Sequence, residues 1–200
     1  MLIDSEFEVA APVDTVWKYL LDVPRMAPNL PGAELTEVVD ENNYKGRVTT
    51  KMGPVSLRFG GTVEIVERDE AKHTVVINAA GADERGRGQA TMVVTATLLP
   101  AGRGTKATVG QDLQIAGAAA QFGRGMIADV TNVLMQTFAA NIAEDIPRWT
   151  RGEERAATSS APAQGFAIGL QATINGLKRF VRRLFGVRSR PLPSERIAAL

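Results

Sequence analysis

The chain has 200 residues, of which 44% are hydrophobic and 22% are charged, a composition that supports one globular domain and leaves residues for an appendage. Cysteine is absent, which excludes disulfides, thiolate metal ligands, iron–sulfur clusters and a cysteine nucleophile. The acidic start, with no apolar run after it, is unlike a secretory signal, so we expect a cytoplasmic protein. No apolar stretch reaches the roughly 18 residues that a membrane-spanning helix needs, so we expect any membrane contact to be made from the surface.

The charge is distributed unevenly along the chain. The net charge is only +1, but from Pro147 onward ten bases face three acids, which gives this part +7 and leaves −6 for residues 1–146. An acidic body with a basic tail predicts an anionic partner for the tail alone.

The first 32 residues predict a strand, a helix and a broken helical segment. Residues 2–10 alternate loosely between apolar and polar side chains, as strands do. From Pro12 to Leu21 the apolar residues recur at helical spacing. Three prolines and a glycine between Pro24 and Gly32 favour short turns over a long helix.

The remainder of the body predicts an α+β fold. Residues 33–115 consist of β-branched runs separated by turn-forming residues, which indicates six antiparallel strands joined by hairpins. Residues 117–146 contain no proline and predict one long helix, which Pro147 should end. We therefore expect a curved antiparallel sheet of about seven strands wrapped around a long C-terminal helix. The alternative is a sandwich with the helix outside it.

Strand alternation indicates which residues face the helix. If Leu57, Phe59, Val63 and Ile65 point inward, Gly61 does too. The neighbouring strands then contribute further small inward residues, namely Gly46, Ala79, Ala90, Ala96 and Ala107. Such residues either leave a cavity or let the helix pack closer to the sheet, and the sequence leaves both possibilities open.

Several local strings, in this order and spacing, resemble one known family. The strings are Ala11-Pro12 with Val16-Trp17, Leu30-Pro31-Gly32, Lys51-Met52-Gly53-Pro54 followed by Phe59 and Gly61, and Ile115-Ala116-Gly117 leading to Gln121-Phe122-Gly123. Over residues 1 to about 146 they resemble the G-subunit family of carbon monoxide dehydrogenase, within the helix-grip superfamily of START-like and polyketide-cyclase-like proteins. The resemblance implies a deep apolar cavity between sheet and helix. It also implies a role beside a molybdenum carbon monoxide dehydrogenase at the cytoplasmic face of the membrane, with no catalytic motif.

The candidate cavity residues come from the inner face, the long helix and a possible mouth. They are Met26, Leu30, Phe59, Met92, Gln111, Phe122, Met126, Val130 and Val133. Methionines adapt to ligands of varied shape, and Gln111 points inward by alternation, where it could donate a hydrogen bond to a ligand carbonyl. The alternative for each apolar residue is an ordinary place in the core.

No catalytic or metal site is predicted. His73 is the only histidine and follows a polar turn, so we expect it to be solvated, and a histidine-based triad or multi-histidine metal site is excluded. Asp83-Glu84-Arg85 is interpreted as an exposed hairpin tip without the buried surroundings that shift a carboxyl pKa. The glycine-rich strings near Gly60 and Gly86 do not lead into helices and are not phosphate loops.

The tail predicts a flexible linker and a membrane-binding helix. We divide the chain into a ligand-binding domain (1–146), a linker (147–165) of small polar residues, and a basic amphipathic tail (166–200). On a helix, one arc of the tail is apolar and the opposite side is basic, as expected for a helix lying on anionic lipid. The residues predicted to bind the membrane are Phe166, Leu170, Ile174, Leu177, Lys178, Arg179, Val181, Arg182, Arg183, Leu184 and Phe185. The apolar arc could instead pack on the body or on a partner protein, whereas nucleic acid would leave it without a role.

Two functions remain open. The first is a non-catalytic carrier that binds an apolar lipid-like molecule, an isoprenoid quinone such as menaquinone, and links the dehydrogenase to the membrane. The second is a structural anchor that recruits the dehydrogenase to the membrane without a ligand. A cyclase or hydrolase is disfavoured because acid and base groups are missing. In either case we expect a peripheral protein on the cytoplasmic side of the cell membrane.

Overall fold

The computed structural model of the chain describes residues 1–153. The predicted amphipathic tail and most of the predicted linker lie outside the described residues. The elements in chain order are β1 (Leu2–Val9), α1 (Val13–Leu21), α2 (Val23–Met26), a 3-10 turn (Ala27–Asn29), β2 (Ala33–Val38), β3 (Asn43–Met52), β4 (Val55–Asp69), β5 (Thr74–Asp83), β6 (Gly88–Ala101), β7 (Gly104–Gly117), a second 3-10 turn (Ala118–Phe122) and α3 (Gly123–Thr150).

All seven strands belong to one antiparallel sheet in the order β1-β7-β6-β5-β4-β3-β2. Strands β2 to β7 follow one another as hairpins, and β1 pairs with β7 at the far edge. The prediction of one strand, a short helical region, six strands and a long helix is therefore confirmed. The alternative of a sandwich is wrong, because the strands of residues 1–153 form a single sheet.

The sheet bends at two places where the pairing slips. The register shifts between Leu35 and Glu37 in β2, and between Ile65 and Glu67 in β4. An extra residue in one strand of an antiparallel pair bends that strand and increases its twist. These irregularities help the long strands to curve over their inner face.

The start of α3 differs from the prediction. The sequence predicts a single helix from residue 117, but Gly117 and Gly123 both have positive φ, +79° and +75°, and the residues between them form the second 3-10 turn. Glycine adopts this left-handed region without the steric penalty of a side chain. The two glycines therefore separate β7 from the helix, and α3 begins only at Gly123.

The end of α3 also differs, because Pro147 does not stop the helix. α3 continues through Pro147 to Thr150, and it ends before Gly152, whose φ is +70°. Proline removes one backbone donor, but the last turn is held by other contacts: Ile146 is buried and the Trp149 ring packs edge-on against Tyr19, with 5.6 Å between ring centroids. Within residues 1–153, the effective stop signal is the glycine after the helix.

The inner face carries two hydrophobic clusters at opposite ends of the strands. We call cluster 1 the buried residues Val9, Val16, Trp17, Tyr19, Val23, Tyr44, Ile65, Val75, Leu98, Ala107, Phe138, Ile142 and Ile146. We call cluster 2 the buried residues Ile3, Met52, Leu57, Ala119 and Ile127. Cluster 1 joins the sheet to α1, α2 and the C-terminal half of α3, whereas cluster 2 joins it to the second 3-10 turn and the start of α3.

None of the helices within residues 1–153 has the length and hydropathy needed to cross a lipid bilayer.

Candidate functional site

An apolar cavity of about 370 Å³ lies on the inner face, between the two clusters. Its wall is almost entirely apolar and is partly open to solvent. The sheet supplies most of the wall, and α2 with the 3-10 turn after it covers one side. The apolar side chains of the wall include Val23, Met26, Ala27, Leu30, Leu35, Tyr44, Val48, Phe59, Val63, Ile77, Ala79, Ala90, Met92, Val94 and Leu113.

Glycines on neighbouring strands form the floor of this cavity. Gly46 pairs with Gly61, Gly61 with Gly81, and Gly81 with Ala90, so the small residues make one row across four strands. A Cβ atom on Gly61 would overlap the backbone of Ala80 and Gly81, so glycine is required there by close approach of the chain. A row without side chains leaves space above it. The inward register predicted from alternation is confirmed, and at this row the small residues leave a cavity.

Two of the predicted small inward residues do not border the cavity. Ala107 is a buried member of cluster 1, and Ala96 packs against that cluster. At this end of the strands the helices α1 and α3 approach the sheet, and small residues there allow close packing. Both possibilities for small inward residues are therefore realised, each at a different end of the same face.

Four of the nine candidate ligand-binding residues belong to the cavity wall. Phe59 and Met92 point inward from β4 and β6, and Met26 and Leu30 lie on and just after the short helical segment that covers one side. The last two were expected near a mouth, and they lie on the wall that is not formed by the sheet.

The other five candidates lie elsewhere. Phe122 and Val130 pack against cluster 2, Met126 is 41% exposed, and Val133 is half-buried outside both clusters. None of the α3 residues is part of the wall, because α3 packs mainly on β1, whereas the sheet residues of the wall come from β2 to β7. The expectation that α3 lines the cavity is therefore wrong. Gln111, the fifth, lies beside the wall.

Gln111 is buried on the inner face, opposite the cavity-lining Val94. Its Nε2 has no hydrogen-bond partner within residues 1–153. A second buried side chain on this face, Thr50, has an unpartnered Oγ1. Buried polar groups are nearly always hydrogen-bonded, so two such atoms beside an apolar cavity are unusual. The alternation that predicts an inward Gln111 also places Thr50 inward, and its polarity at an inward position is the signal that could have found it.

The segment that covers the cavity is held by a buried polar network. Arg25 on α2 makes a two-pronged ion pair with Asp145 on α3, with both nitrogen–oxygen distances at 2.7 Å. Tyr19 on α1 donates to the same carboxylate at 2.7 Å, and Asn29 donates to the Tyr19 hydroxyl at 2.6 Å. The hydrogen bond to Asp145 raises the pKa of Arg25 above its ordinary value. Asn141 on α3 adds a bond to the Asn29 carbonyl.

These contacts explain why a proline-rich segment has a defined position. The sequence pattern indicates the breaks in residues 24–32 but gives no means of finding Asp145, which is 120 residues away from Arg25. The charges fix the covering segment against α3, and thereby fix Met26 and Leu30 at the cavity.

A second buried ion pair holds the hairpin tips near Phe59. Asp83 was expected at an exposed tip, but it is 4% exposed and accepts two hydrogen bonds from the Arg87 guanidinium, at 2.7 and 2.8 Å. Its oxygens also accept from the backbone nitrogens of Arg58, Arg85 and Arg87. The Arg87 guanidinium, helped by these amides, holds the pKa of Asp83 well below its ordinary value. The exposed-tip interpretation is wrong because Asp83 pairs opposite Phe59 and so faces inward.

His73 is less solvated than expected. Its side chain is 22% exposed, its ring packs edge-on against Trp17 and its Nε2 lies 3.1 Å from Asp14 Oδ1. The left-handed backbone at His73, with φ +47°, turns the chain between β4 and β5. Over residues 1–153 there is no group of three histidine, cysteine or acidic residues placed to hold a metal ion.

The curved seven-stranded sheet, the long C-terminal helix and the apolar cavity together define a helix-grip protein. Solved structures with the same fold include a conserved protein from Geobacillus kaustophilus, with TM-score 0.66 and 20% identity, covering 74% of this chain and 96% of that one. Another is the Zhui aromatase/cyclase from Streptomyces sp. R1128, with TM-score 0.56 and 16% identity, covering 80% of this chain and 98% of that one. At these identities the likeness shows the fold alone.

The family is identified by sequence. Residues 5–147 match the model of the carbon monoxide dehydrogenase G-subunit (CoxG) family, and the chain belongs to this family. The matched range covers the second half of β1 from residue 5, all of β2 to β7, both short helices and nearly all of α3. A search of curated proteins found no match.

Proposed function

We propose that this protein is a non-catalytic carrier for an isoprenoid quinone such as menaquinone, which it holds in the apolar cavity beside a membrane-bound dehydrogenase. The observation that carries the proposal is the cavity itself, an apolar space of about 370 Å³ on the inner face of the sheet. Ligand sites in proteins are typically apolar clefts of roughly 300 to 1,000 Å³ with a few polar groups that fix orientation.

A quinone matches this combination of surfaces. Its isoprenoid chain is apolar and suits the wall, whereas its ring carbonyls need donors. Gln111, whose Nε2 has no hydrogen-bond partner within residues 1–153, lies opposite the wall residue Val94 and is a candidate donor. The partly open wall lets a long chain extend beyond the volume of the cavity. Binding gains free energy in proportion to the apolar area that the ligand and the wall remove from water.

The partner follows from the family. Because the family takes its description from carbon monoxide dehydrogenase, we propose a molybdenum carbon monoxide dehydrogenase as the enzyme that this protein assists. We propose that residues 166–200 attach the complex to anionic lipid at the cytoplasmic side of the membrane. Basic residues near such a surface contribute about 1 kcal/mol each, which supports reversible attachment. A carrier at this place would bring quinone to the dehydrogenase and return quinol to the bilayer.

Retention of lipid tests the carrier. The full chain, purified from cells that make menaquinone, is analysed by native mass spectrometry and lipid extraction, and we expect a stoichiometric quinone. Ala79→Phe fills the cavity from β5 and should abolish retention. Ala82→Phe is the matched control, because Ala82 is exposed on the same strand and is not part of the wall. A wild-type chain free of quinone, with dehydrogenase binding intact, would favour the structural anchor instead.

Vesicle sedimentation tests the membrane attachment. Deleting residues 166–200 should abolish binding to anionic vesicles while the body keeps its ligand. Leu177→Glu places a charge in the apolar arc and should weaken binding, whereas Gln171→Glu, on the polar side, should have a smaller effect. Unchanged sedimentation of the deleted chain would exclude the tail as the attachment site.

A further inference from the structure

Two buried polar atoms beside the cavity have no partner within residues 1–153. They are Thr50 Oγ1 on β3 and Gln111 Nε2 on β7, in residues that are 8% and 6% exposed. Leaving such a donor without a partner costs about 1 to 3 kcal/mol in general, so these groups destabilise the protein unless they are used.

Both residues lie between wall residues of the cavity and residues of cluster 2. Thr50 lies between the cavity-lining Val48 and the cluster 2 residue Met52 on β3, and it pairs with Leu57 of the same cluster. Gln111 pairs on one side with Ile3 of cluster 2 and on the other with Val94 of the cavity wall. The curl of the sheet therefore brings both residues next to one cluster. Neither is itself part of the wall, so each must change rotamer to reach a ligand.

The charges around the cavity favour a neutral polar group there. The basic residues that border the wall, Lys45 and Arg47, alternate with the inward Gly46 and Tyr44 and are already paired with glutamates. Lys45 Nζ lies 3.0 Å from Glu37 and Arg47 Nε lies 3.2 Å from Glu84. The N-terminal ammonium of Met1, which packs against cluster 2, is likewise paired, at 3.2 Å from Asp112. A carboxylate at the Thr50 and Gln111 position would have to compete with Asp112 for that cation, whereas a carbonyl oxygen needs only the hydrogen-bond donors that these residues have.

We propose that Thr50 and Gln111 supply the polar end of the site and donate hydrogen bonds to the carbonyl oxygens of the neutral quinone ring, with the isoprenoid chain directed toward Met26 and Leu30. This orientation rests on the proposed carrier function and adds the residues that select the head group. It makes the site selective for quinones over fatty acids of similar length.

The test measures the affinity of the delipidated full chain for three probes. These are menaquinone with four isoprene units, squalene, which is apolar and has no oxygen, and palmitate, which has a carboxylate. The variants are Thr50→Val and Gln111→Met, which keep shape and remove the polar atoms. Thr95→Val and Gln114→Met are matched controls, because both residues are exposed on the outer face of the same sheet.

Thr50→Val and Gln111→Met should each bind menaquinone about 3- to 10-fold more weakly, the loss of one neutral hydrogen bond. Squalene affinity should not change, and wild type should bind palmitate more weakly than menaquinone. Without quinone, both variants should unfold at a higher denaturant concentration than wild type, since an unpaired buried group is removed. A purely structural role of these residues would not weaken menaquinone binding and at the same time raise the unfolding midpoint.

Four results overturn the inference, and only the last of them also rejects the carrier. Unchanged menaquinone affinity in both variants, with binding by wild type, rejects this orientation and keeps the carrier. An equal loss of squalene affinity, or a lower unfolding midpoint in both variants, shows that the two residues act through packing. Absence of menaquinone binding by wild type rejects the carrier and this inference together.

Discussion

Cluster 1 and the cavity lie on the same face of the same strands, yet one is closely packed and the other is open. In cluster 1, large side chains from α1 and α3 meet the sheet, and Val16, Tyr19 and Ile142 are fully buried. At the cavity, the row of Gly46, Gly61 and Gly81 has no side chains, and α3 contributes none. The comparison shows that the alternation of side chains along a strand decides which residues face inward. Their size and the position of the helix decide whether that part of the face becomes packed core or a cavity.

The largest loss of stability is expected for a substitution in cluster 1. Val16→Ala removes two methyl groups from a fully buried position and should lower the free energy of unfolding by about 2 to 3 kcal/mol, since a cavity is left behind. The measurement is urea denaturation followed by tryptophan fluorescence, with Val66→Ala as the control on an exposed strand residue. A loss below about 1 kcal/mol would contradict close packing at this end.

The second-largest loss of stability is expected in the segment that covers the cavity. Arg25→Met removes the ion pair with Asp145, while Tyr19 still donates to that carboxylate, so stability should fall by about 1 to 2 kcal/mol. Because Met26 and Leu30 are held by the same segment, retention of the proposed quinone should fall as well. The control is Arg148→Met, an exposed arginine of α3. Full retention of the proposed quinone in Arg25→Met would mean that the position of this segment does not matter for its binding.

Acid should loosen the cavity end of the sheet through Asp83. Its pKa is lower in the folded protein than in the unfolded chain, so its stabilising effect is complete above roughly pH 5 and is lost as the pH falls below about 4. Asp83→Asn removes this effect, so the stability difference between wild type and variant should shrink with falling pH. Urea midpoints from pH 7 to pH 3 measure it. A difference that is constant over this range would show that the charge of Asp83 is not stabilising.

The smallest effect is expected at the cavity wall. Val94→Ala makes the same chemical change as Val16→Ala, but Val94 borders empty space and has fewer contacts to lose, so the cost should stay near 1 kcal/mol or below. The two variants are compared in one series of denaturation curves. Equal losses of unfolding free energy at Val16 and Val94 would contradict the distinction between the packed core and the cavity wall.

Much of the fold follows from local patterns. The alternation of residues 33–115 and the turn residues between them predict six strands, and the inward register of Phe59, Gly61 and Ala79 is confirmed by the strand pairing. Local patterns fail where distant residues act. Pro147 does not end α3 because Trp149 packs on Tyr19, and Asp83 is not exposed because Arg87 and the backbone of Arg58 bind it.

The candidate site could be predicted only in part for the same reason. Phe59 and Met92 could be found because strand alternation has a fixed period of two. The prediction is wrong for Met126, Val130 and Val133 because helical periodicity identifies an apolar face but not the strand on which it packs. The position of α3 over β1 depends on cluster 2 and on the network around Asp145, which combine residues from both ends of the described chain.

The amino-acid sequence by itself determined the order of the strands and helices, the inner face of the sheet, the family and the uneven distribution of charge. Only the tertiary structure decided that the small inward residues enclose a cavity at Gly61 but pack closely at Ala107. It also decided that α3 leaves that cavity to the sheet and the covering segment. The physical reason is that spacing along one chain fixes the direction of a side chain, whereas empty space depends on how near a second, distant element can approach.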